Sequence, residues 1–504
     1  MNTHSPELCP APFNLAAYVL AAGQDTPNKI ALEVLGKAAQ SYSYERLTHA
    51  VRGVASGLRE AGLKAGDVVL LRLGNTADFP IAYLGIIAAG MIAVPTSSAL
   101  TRAEITKMSA AISPAAILQD EALAAPEAPD SKQISLDQLR EFYALPATPW
   151  HMGDPERPAY LVFTSGTSGT ARAVLHAHRA IWARRMMHQG WYGLTASDRL
   201  LHAGAFNWTF TLGTGLMDPW TMGATALIPE DGCPADQLPN LLKENNATLF
   251  AAAPGVYRKL LQKPMPALPA LRHGLSAGEK MSPALHQSWF EATRTRVYEA
   301  FGMSECSTFI SSSPENPVSP EALGRAQQGR KIALVTEQGI PAKQGETGII
   351  AVHRSDQGLM LGYLNEPDST AERFQGDWFL TGDLGRTDES GAVHYEGRSD
   401  DMMNAGGFRV SPLEIEAVFQ KLPEVSQCAA IEVTLKPGVQ VIALCYTSVA
   451  PVQESALNAL ATQQLARYKQ PRIYHPCDTL PSSANGKLLR RVLRSQIEAH
   501  YGQA

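Results

Sequence analysis

The sequence predicts an α/β fold with substantial parallel sheet, arranged as a large N-terminal domain followed by a small α+β C-terminal one. Apolar periodicity alternates between helical and strand spacing along the first hundred residues. The chain has 504 residues, several times what a core of roughly 100–200 residues organises. A compositional change falls near residue 400, where the polar stretch Gly397-Arg398-Ser399-Asp400-Asp401 interrupts the apolar pattern.

Leu47, Val51, Val54 and Leu58 recur at helical spacing, so residues 43–62 read as a helix with Gly62 as its stop. Asp67–Leu73 reads as a strand, Phe79–Gly90 as a second helix and Met91–Val94 as the strand after it. The segment 120–158, rich in Ala, Pro and Asp, reads as a surface excursion. It leads into the apolar strand Ala159–Phe163, and Ala392–Glu396 is a further strand before the polar stretch. The domain boundary is placed between residues 398 and 399.

Composition narrows the function. Apolar residues make up 45% and charged residues 18%, as in a large globular protein. Forty-three basic against 48 acidic residues leave a net charge of −5, which argues against wholesale binding of nucleic acid or anionic membrane. The six cysteines are scattered with no C-x-x-C pair, so a reducing cytoplasm is expected rather than a disulfide scaffold. The N-terminus has no basic segment followed by an apolar core, and the apolar run Ile81–Pro95 is too short for a bilayer of roughly 30 Å. A soluble protein is expected.

The strand Ala159–Phe163 runs directly into Thr164-Ser165-Gly166-Thr167-Ser168-Gly169-Thr170. Glycines let backbone N–H groups converge on one point, and the hydroxyls add donors, which is how a loop holds phosphate oxygens. A free Gly/Ser linker is the alternative, and the apolar strand before it argues against that. No lysine stands where a Walker A loop requires one.

With this loop, the chain resembles the AMP-forming acyl-CoA synthetases, the adenylate-forming superfamily. Leu84–Pro95, Phe301-Gly-Met-Ser-Glu305, Gly362-Tyr-Leu-Asn365, Trp378–Asp383, Gly397–Asp401, Gly407–Glu416 and Leu480–Lys487 follow in the order and spacing of that family. Its nearest types are the medium-chain acyl-CoA and benzoate-CoA ligases. The resemblance implies a 1–398 adenylate-forming domain, of α/β sheet subdomains plus a small β-barrel, and a mobile 399–504 domain carrying the catalytic lysine. It also implies ATP, Mg²⁺ and coenzyme A.

The remaining roles follow from the resemblance. Lys487 would meet the α-phosphate and the substrate carboxylate, although a lysine in a basic tail is otherwise only a solvated charge. Glu305 would help hold Mg²⁺, a cation that prefers oxygen ligands. Thr164, Ser165, Gly166, Thr167, Ser168, Gly169 and Arg172 would surround the phosphates. Gly278, Glu279, Glu299, Ala300, Phe301, Ser304, Asp383 and Arg398 would contact the nucleotide, Asp383 through the ribose hydroxyls. Asp400 matches the hinge about which the C-terminal domain swings after adenylation. The swing would exchange Lys487 for Gly406, Gly407 and Arg409, with the glycines passing the pantetheine arm of CoA.

The family usually continues Lys-Pro-Lys-Gly after the loop; here it is Thr170-Ala171-Arg172-Ala173. Arginine keeps the charge and is a good phosphate partner. The basic tail from Arg467 suits the phosphates of ATP or CoA, with ordinary solubility as its plainer meaning. His176 and His178 suggest a metal pair, but no third ligand stands nearby. Gly302 stands where acetate-type members carry a pocket-closing Trp, so a larger acid is expected. Asn207, Trp208, Ala277, Gly302 and Met303 would line an acyl pocket for a medium-chain or aromatic acid. An amine or carrier-protein acceptor, or a non-catalytic nucleotide binder, remain as alternatives. The partners expected are small molecules; the oligomer is open, a homodimer included.

Overall fold

The computed structural model describes residues 7–36, 39–164, 172–336, 338–405, 408–436, 439–482 and 488–501. The chain divides into two compact units, Met1–Ile332 with Val352–Phe379, and Ala333–Ala351 with Leu380–Ala504.

The first unit holds two large sheets. The seven-stranded one runs in the order Gly362–Tyr363, Arg172–Ala177, Pro158–Thr164, Ile92–Pro95, Val68–Arg72, Ala116–Gln119 and Lys132–Ser135. Its last five strands are parallel, while Arg172–Ala177 turns back antiparallel on Pro158–Thr164. Its two early helices are Tyr44–Glu60, capped by the Ser43 side chain, and Asp78–Ala88, whose residues are all buried. The expected helices and strands before residue 95 are therefore present within two residues of their predicted ends.

Residues 120–158 are not a surface excursion. They contain the strand Lys132–Ser135 and the helix Leu136–Phe142, which bury Ile134, Leu139 and Phe142. Phe142 sits against Gly57, where a Cβ would lie 2.2 Å from its ring. Arg140 (2.8 Å) and the Tyr143 hydroxyl (2.7 Å) both bond the buried Asp78 carboxylate. The Ala/Pro-rich composition conceals these few inward residues because their seats are glycines on a different helix.

In the nine-stranded sheet, Arg199–His202 has Thr225–Pro229, Ile30–Leu35 and Gln40–Ser43 on one side. Leu249–Ala252, His273–Ala277, Val297–Met303, Ser307–Ser311 and Arg325–Ala326 lie on the other. The run from Ile30–Leu35 to Val297–Met303 is parallel and nearly wholly buried, as sheets covered on both faces are.

A smaller five-stranded sheet stands where the resemblance implies a barrel, with Trp378–Thr387 pairing both Phe374–Gln375 and Val393–Arg398. The C-terminal stretch has a three-stranded sheet, Val425–Lys436, Val439–Ser448 and Ile473–Pro476, faced by the helix Arg490–Tyr501. A two-stranded ribbon, Met403–Ala405 with Phe408–Val410, precedes it. No helix among the described residues is long and apolar enough to cross a membrane.

Candidate active site

Strand adjacency in the nine-stranded sheet gathers most of the predicted nucleotide-side residues. Val297–Met303 pairs in parallel with His273–Ala277, setting Ala300 beside Ala277, and antiparallel with Ser307–Ser311. Gly278 follows in a left-handed conformation, φ 97°, that suits glycine, and a Cβ there would stand 3.0 Å from the Trp208 ring. Phe301 is half-buried, edge-on to Phe309.

The turn between the two antiparallel strands carries Ser304 and Glu305, and the seven-stranded sheet grips it. His176 donates to the Ser304 carbonyl at 2.7 Å, the Tyr363 hydroxyl donates to Glu305 Oε1 at 2.8 Å, and the Met360 N–H donates to the Glu305 carbonyl at 2.8 Å. Tyr363 also carries the Arg172 guanidinium over its ring at 5.1 Å, and Arg172 pairs with Glu366 at 3.5 Å. Thr164 is the register partner of Arg172. The ends of the phosphate loop and the Glu305 turn thus meet through Tyr363. Ser165–Gly169 themselves lie outside the described residues, as do Gly406, Gly407 and Lys487.

Burial, then the Glu305 carboxylate, pushes the Tyr363 phenol upward, so it remains a donor at neutral pH. Glu305 is 8% exposed and no cationic side chain pairs with it among the described residues. A buried carboxylate left in that state is costly unless a cation joins it. A divalent ion bound mainly by phosphates and water suits it. No cluster of three or more His, Cys, Asp or Glu that could cage a metal occurs among the described residues.

The other residues fall in three groups. Glu299 is committed locally, to Lys280 at 2.8 Å, His286 at 2.9 Å and the Met281 N–H at 3.1 Å. Glu279 lies 3.9 Å from Arg258. In the second unit, Asp383 accepts from the Tyr395 hydroxyl at 2.8 Å and from Arg398 at 3.4 Å, and Arg398 reaches Asp400 at 3.0 Å. Arg409 pairs through its backbone with Asn404. Part of the basic tail is structural: Arg490 holds Glu416 at 2.5 and 3.0 Å, and Lys469 pairs with Glu414.

His176 and His178 form no metal pair. His178 accepts the Leu15 N–H at 3.0 Å, and burial pushes the two imidazoles down to about 4 and about 3 respectively. Near the expected acyl pocket, Trp208 and Phe210 meet edge-on at 5.0 Å, and the buried His202 packs against Phe210 at 4.4 Å.

Gly302 has a second reason to be glycine. A Cβ there would meet the Ser307 carbonyl oxygen at 2.1 Å and Thr308 Cα at 2.5 Å, beside a register shift in the strand pair. Gly302→Ala is therefore expected to lower stability by about 1–3 kcal/mol, through overpacking against backbone. Urea unfolding of the variant checks this; an unchanged midpoint would show that the strands can part at no cost.

The AMP-binding enzyme model matches residues 20–364, and the AMP-binding enzyme C-terminal domain model matches residues 414–487. The chain belongs to the AMP-binding enzyme family. This AMP-binding enzyme is 28% identical to the mitochondrial acyl-coenzyme A synthetase ACSM2A of Homo sapiens, over 98% of this chain and 92% of that one. It is 26% identical to the 3-hydroxybenzoate–CoA ligase of an Aromatoleum species, over 92% of each. Among solved structures, ATP-bound MatB of Rhodopseudomonas palustris superposes with a TM-score of 0.89 at 26% identity, covering 97% of this chain and all of that one.

Sequence reasoning missed two features of the site. Tyr363 lies in a motif that was singled out, but its role as the donor to Glu305 shows only in space. Arg184 and Asp218 form a buried pair at 2.5 Å; Asp218 leaves a trace as a lone charge in an apolar stretch, but Arg184, next to Arg185, leaves none.

Proposed function

We propose that this AMP-binding enzyme is an ATP-dependent carboxylic acid–CoA ligase. It first joins the acid's carboxylate to the α-phosphate of ATP, releasing pyrophosphate. It then passes the acyl group to the CoA thiol, releasing AMP. The observation that carries this reading is the Ser304–Glu305 turn, held by His176 and by Tyr363, whose ring carries Arg172, the register partner of Thr164 at the start of the phosphate loop.

Glu305 is the residue we assign to Mg²⁺, which would draw the phosphate charges together and offset them as the carboxylate approaches. Asp383 would accept from the ribose hydroxyls. Lys487 supplies the compact positive charge of the adenylation step, and Gly406, Gly407 and Arg409 serve the thioester step after the 399–504 domain turns at Asp400. A medium-chain or aromatic acid is the substrate class, since the Trp208–Phe210 region is apolar and aromatic. Unpaired cysteines suit a reducing cytoplasm, and sedimentation would decide between a monomer and a homodimer.

The test is incubation with ATP, Mg²⁺, a panel of acids and CoA, with mass spectrometry for acyl-CoA. Thioester formation is the expected result. AMP and pyrophosphate without thioester would move the acceptor to an amine or a carrier protein. Absence of acid-dependent pyrophosphate exchange would overturn the reading.

A further inference from the structure

The residues that follow Glu305 are each held by a buried arginine. Arg330 Nη1 donates to the Thr308 carbonyl at 2.7 Å, and Nη2 donates to the Cys306 carbonyl at 3.1 Å and to Cys306 Sγ at 2.8 Å. Arg184 donates to the hydroxyl of Ser307, the residue between them. Ser307 has a left-handed backbone, φ 60°, a strained conformation for a serine that surroundings must enforce.

Each arginine is paired with an aspartate. Arg330 Nε meets both Asp356 oxygens at 3.1 Å, and both side chains are 1% exposed. Arg184 holds the buried Asp218 carboxylate at 3.0 and 2.5 Å. Ion pairs this deep add little stability over well-packed apolar side chains. What a buried arginine supplies that an apolar side chain cannot is a rigid, planar set of aimed donors. In Arg330, two of the three nitrogens are spent on main-chain carbonyls just past Glu305.

Asp356 is fixed in turn. It accepts the N–H groups of Lys331 and Gly358, each at 2.8 Å. Gly358 leaves space for the guanidinium, since a Cβ there would lie 2.5 Å from Nη2. The same segment reaches Glu305 twice more. The Met360 N–H donates to its carbonyl and the Tyr363 hydroxyl to its carboxylate, both at 2.8 Å. Residues 356–363 therefore hold the turn at the Glu305 backbone, at its side chain and, through Arg330, at the residues after it. Groups that hold a metal-binding side chain in place govern how tightly the metal binds.

We propose that Arg330, locked by Asp356, is a positioning residue that aims the Glu305 carboxylate at Mg²⁺. The proposal rests on the assignment of Glu305 to Mg²⁺ above, and it adds what keeps that ligand in place. The competing account is that the buried pair serves the fold alone.

Losing one partner would strand a buried charge, so the test replaces both, Arg330→Met with Asp356→Leu. Mn²⁺ stands in for Mg²⁺, and its affinity for the enzyme carrying a non-hydrolysable ATP analogue is read by electron paramagnetic resonance, without turnover. Urea unfolding checks that the variant is folded. The affinity is expected to fall by about 10–100-fold. In pyrophosphate exchange the KM for Mg²⁺ is expected to rise by a similar factor, with a smaller change in kcat at saturating Mg²⁺. Unchanged Mn²⁺ affinity in the folded variant would overturn the proposal. Should that variant fail to fold, Arg330→Lys, which keeps the charge and loses the planar fork, is measured in the same way. It too is expected to bind Mn²⁺ more weakly, and an unchanged affinity overturns the proposal again. Glu305→Gln with full Mn²⁺ affinity would instead sink the assignment of Glu305, and this proposal with it.

Discussion

Lys487→Ala is expected to abolish acid-dependent pyrophosphate exchange while largely sparing thioester formation from preformed acyl-adenylate and CoA. In the adenylation step a carboxylate meets the α-phosphate of ATP, and two anions must be brought into contact. A positive charge held ready where that negative charge gathers is worth roughly 10²–10³ in rate. Within the described part of the first unit, the cation beside the phosphate loop is already engaged: Arg172 is paired with Glu366 and lies over Tyr363. Lysine supplies a compact charge on a long stem, and Lys487 has the family's placement. The two half-reactions are assayed separately, by labelled pyrophosphate and by thioester release. Equal loss in both would mean that Lys487 shapes the enzyme as a whole and does not act in one step.

The second large effect is a loss of stability in mild acid. Burial pushes His176 and His273 down to about 4 and His178 and His202 down to about 3. In the unfolded chain each takes up a proton near pH 6.5. Between that value and the folded one, the unfolded state binds more protons, so stability falls as pH drops through this window and is fully present above it. By pH 5 each of these histidines withdraws about 2 kcal/mol, as an upper figure. Four together rival the whole stability of a typical domain, about 5–15 kcal/mol. Urea midpoints measured from pH 7.5 down to 4.5 are expected to be level above about 7 and to fall steeply below 6.5. A level profile down to pH 5 would mean that these rings reach solvent.

How much of this was legible beforehand differs between fold and site. The helix at 44–60 and the strands beside it announce themselves because Leu47, Val51, Val54 and Leu58 repeat at one spacing, and a buried stripe needs nothing else. The helix at 136–142 does not, because what holds it is distant: Gly57 gives Phe142 its seat and Asp78 gives Arg140 its partner. The motif residues of the site were legible in order, since adjacent parallel strands place Ala277 beside Ala300 without further information. Their partners were not. Nothing in the local pattern says that Glu299 will be held by Lys280 and His286, or that Tyr363 will reach back to Glu305, 58 positions earlier in the chain. Gly302 shows the same limit: in sequence it reads as room for a larger acid, and only the structure adds that a Cβ there would meet the neighbouring strand's carbonyl.

Ser307 has a consequence for anyone altering this enzyme. Its φ of 60° is a conformation that glycine adopts freely and serine does not. A glycine at 307 would relax the chain there, yet it would strip the buried guanidinium of Arg184 of an acceptor. Laboratory evolution for heat tolerance would therefore meet two opposed effects at this one position, a relaxed backbone and a buried cation with one acceptor fewer.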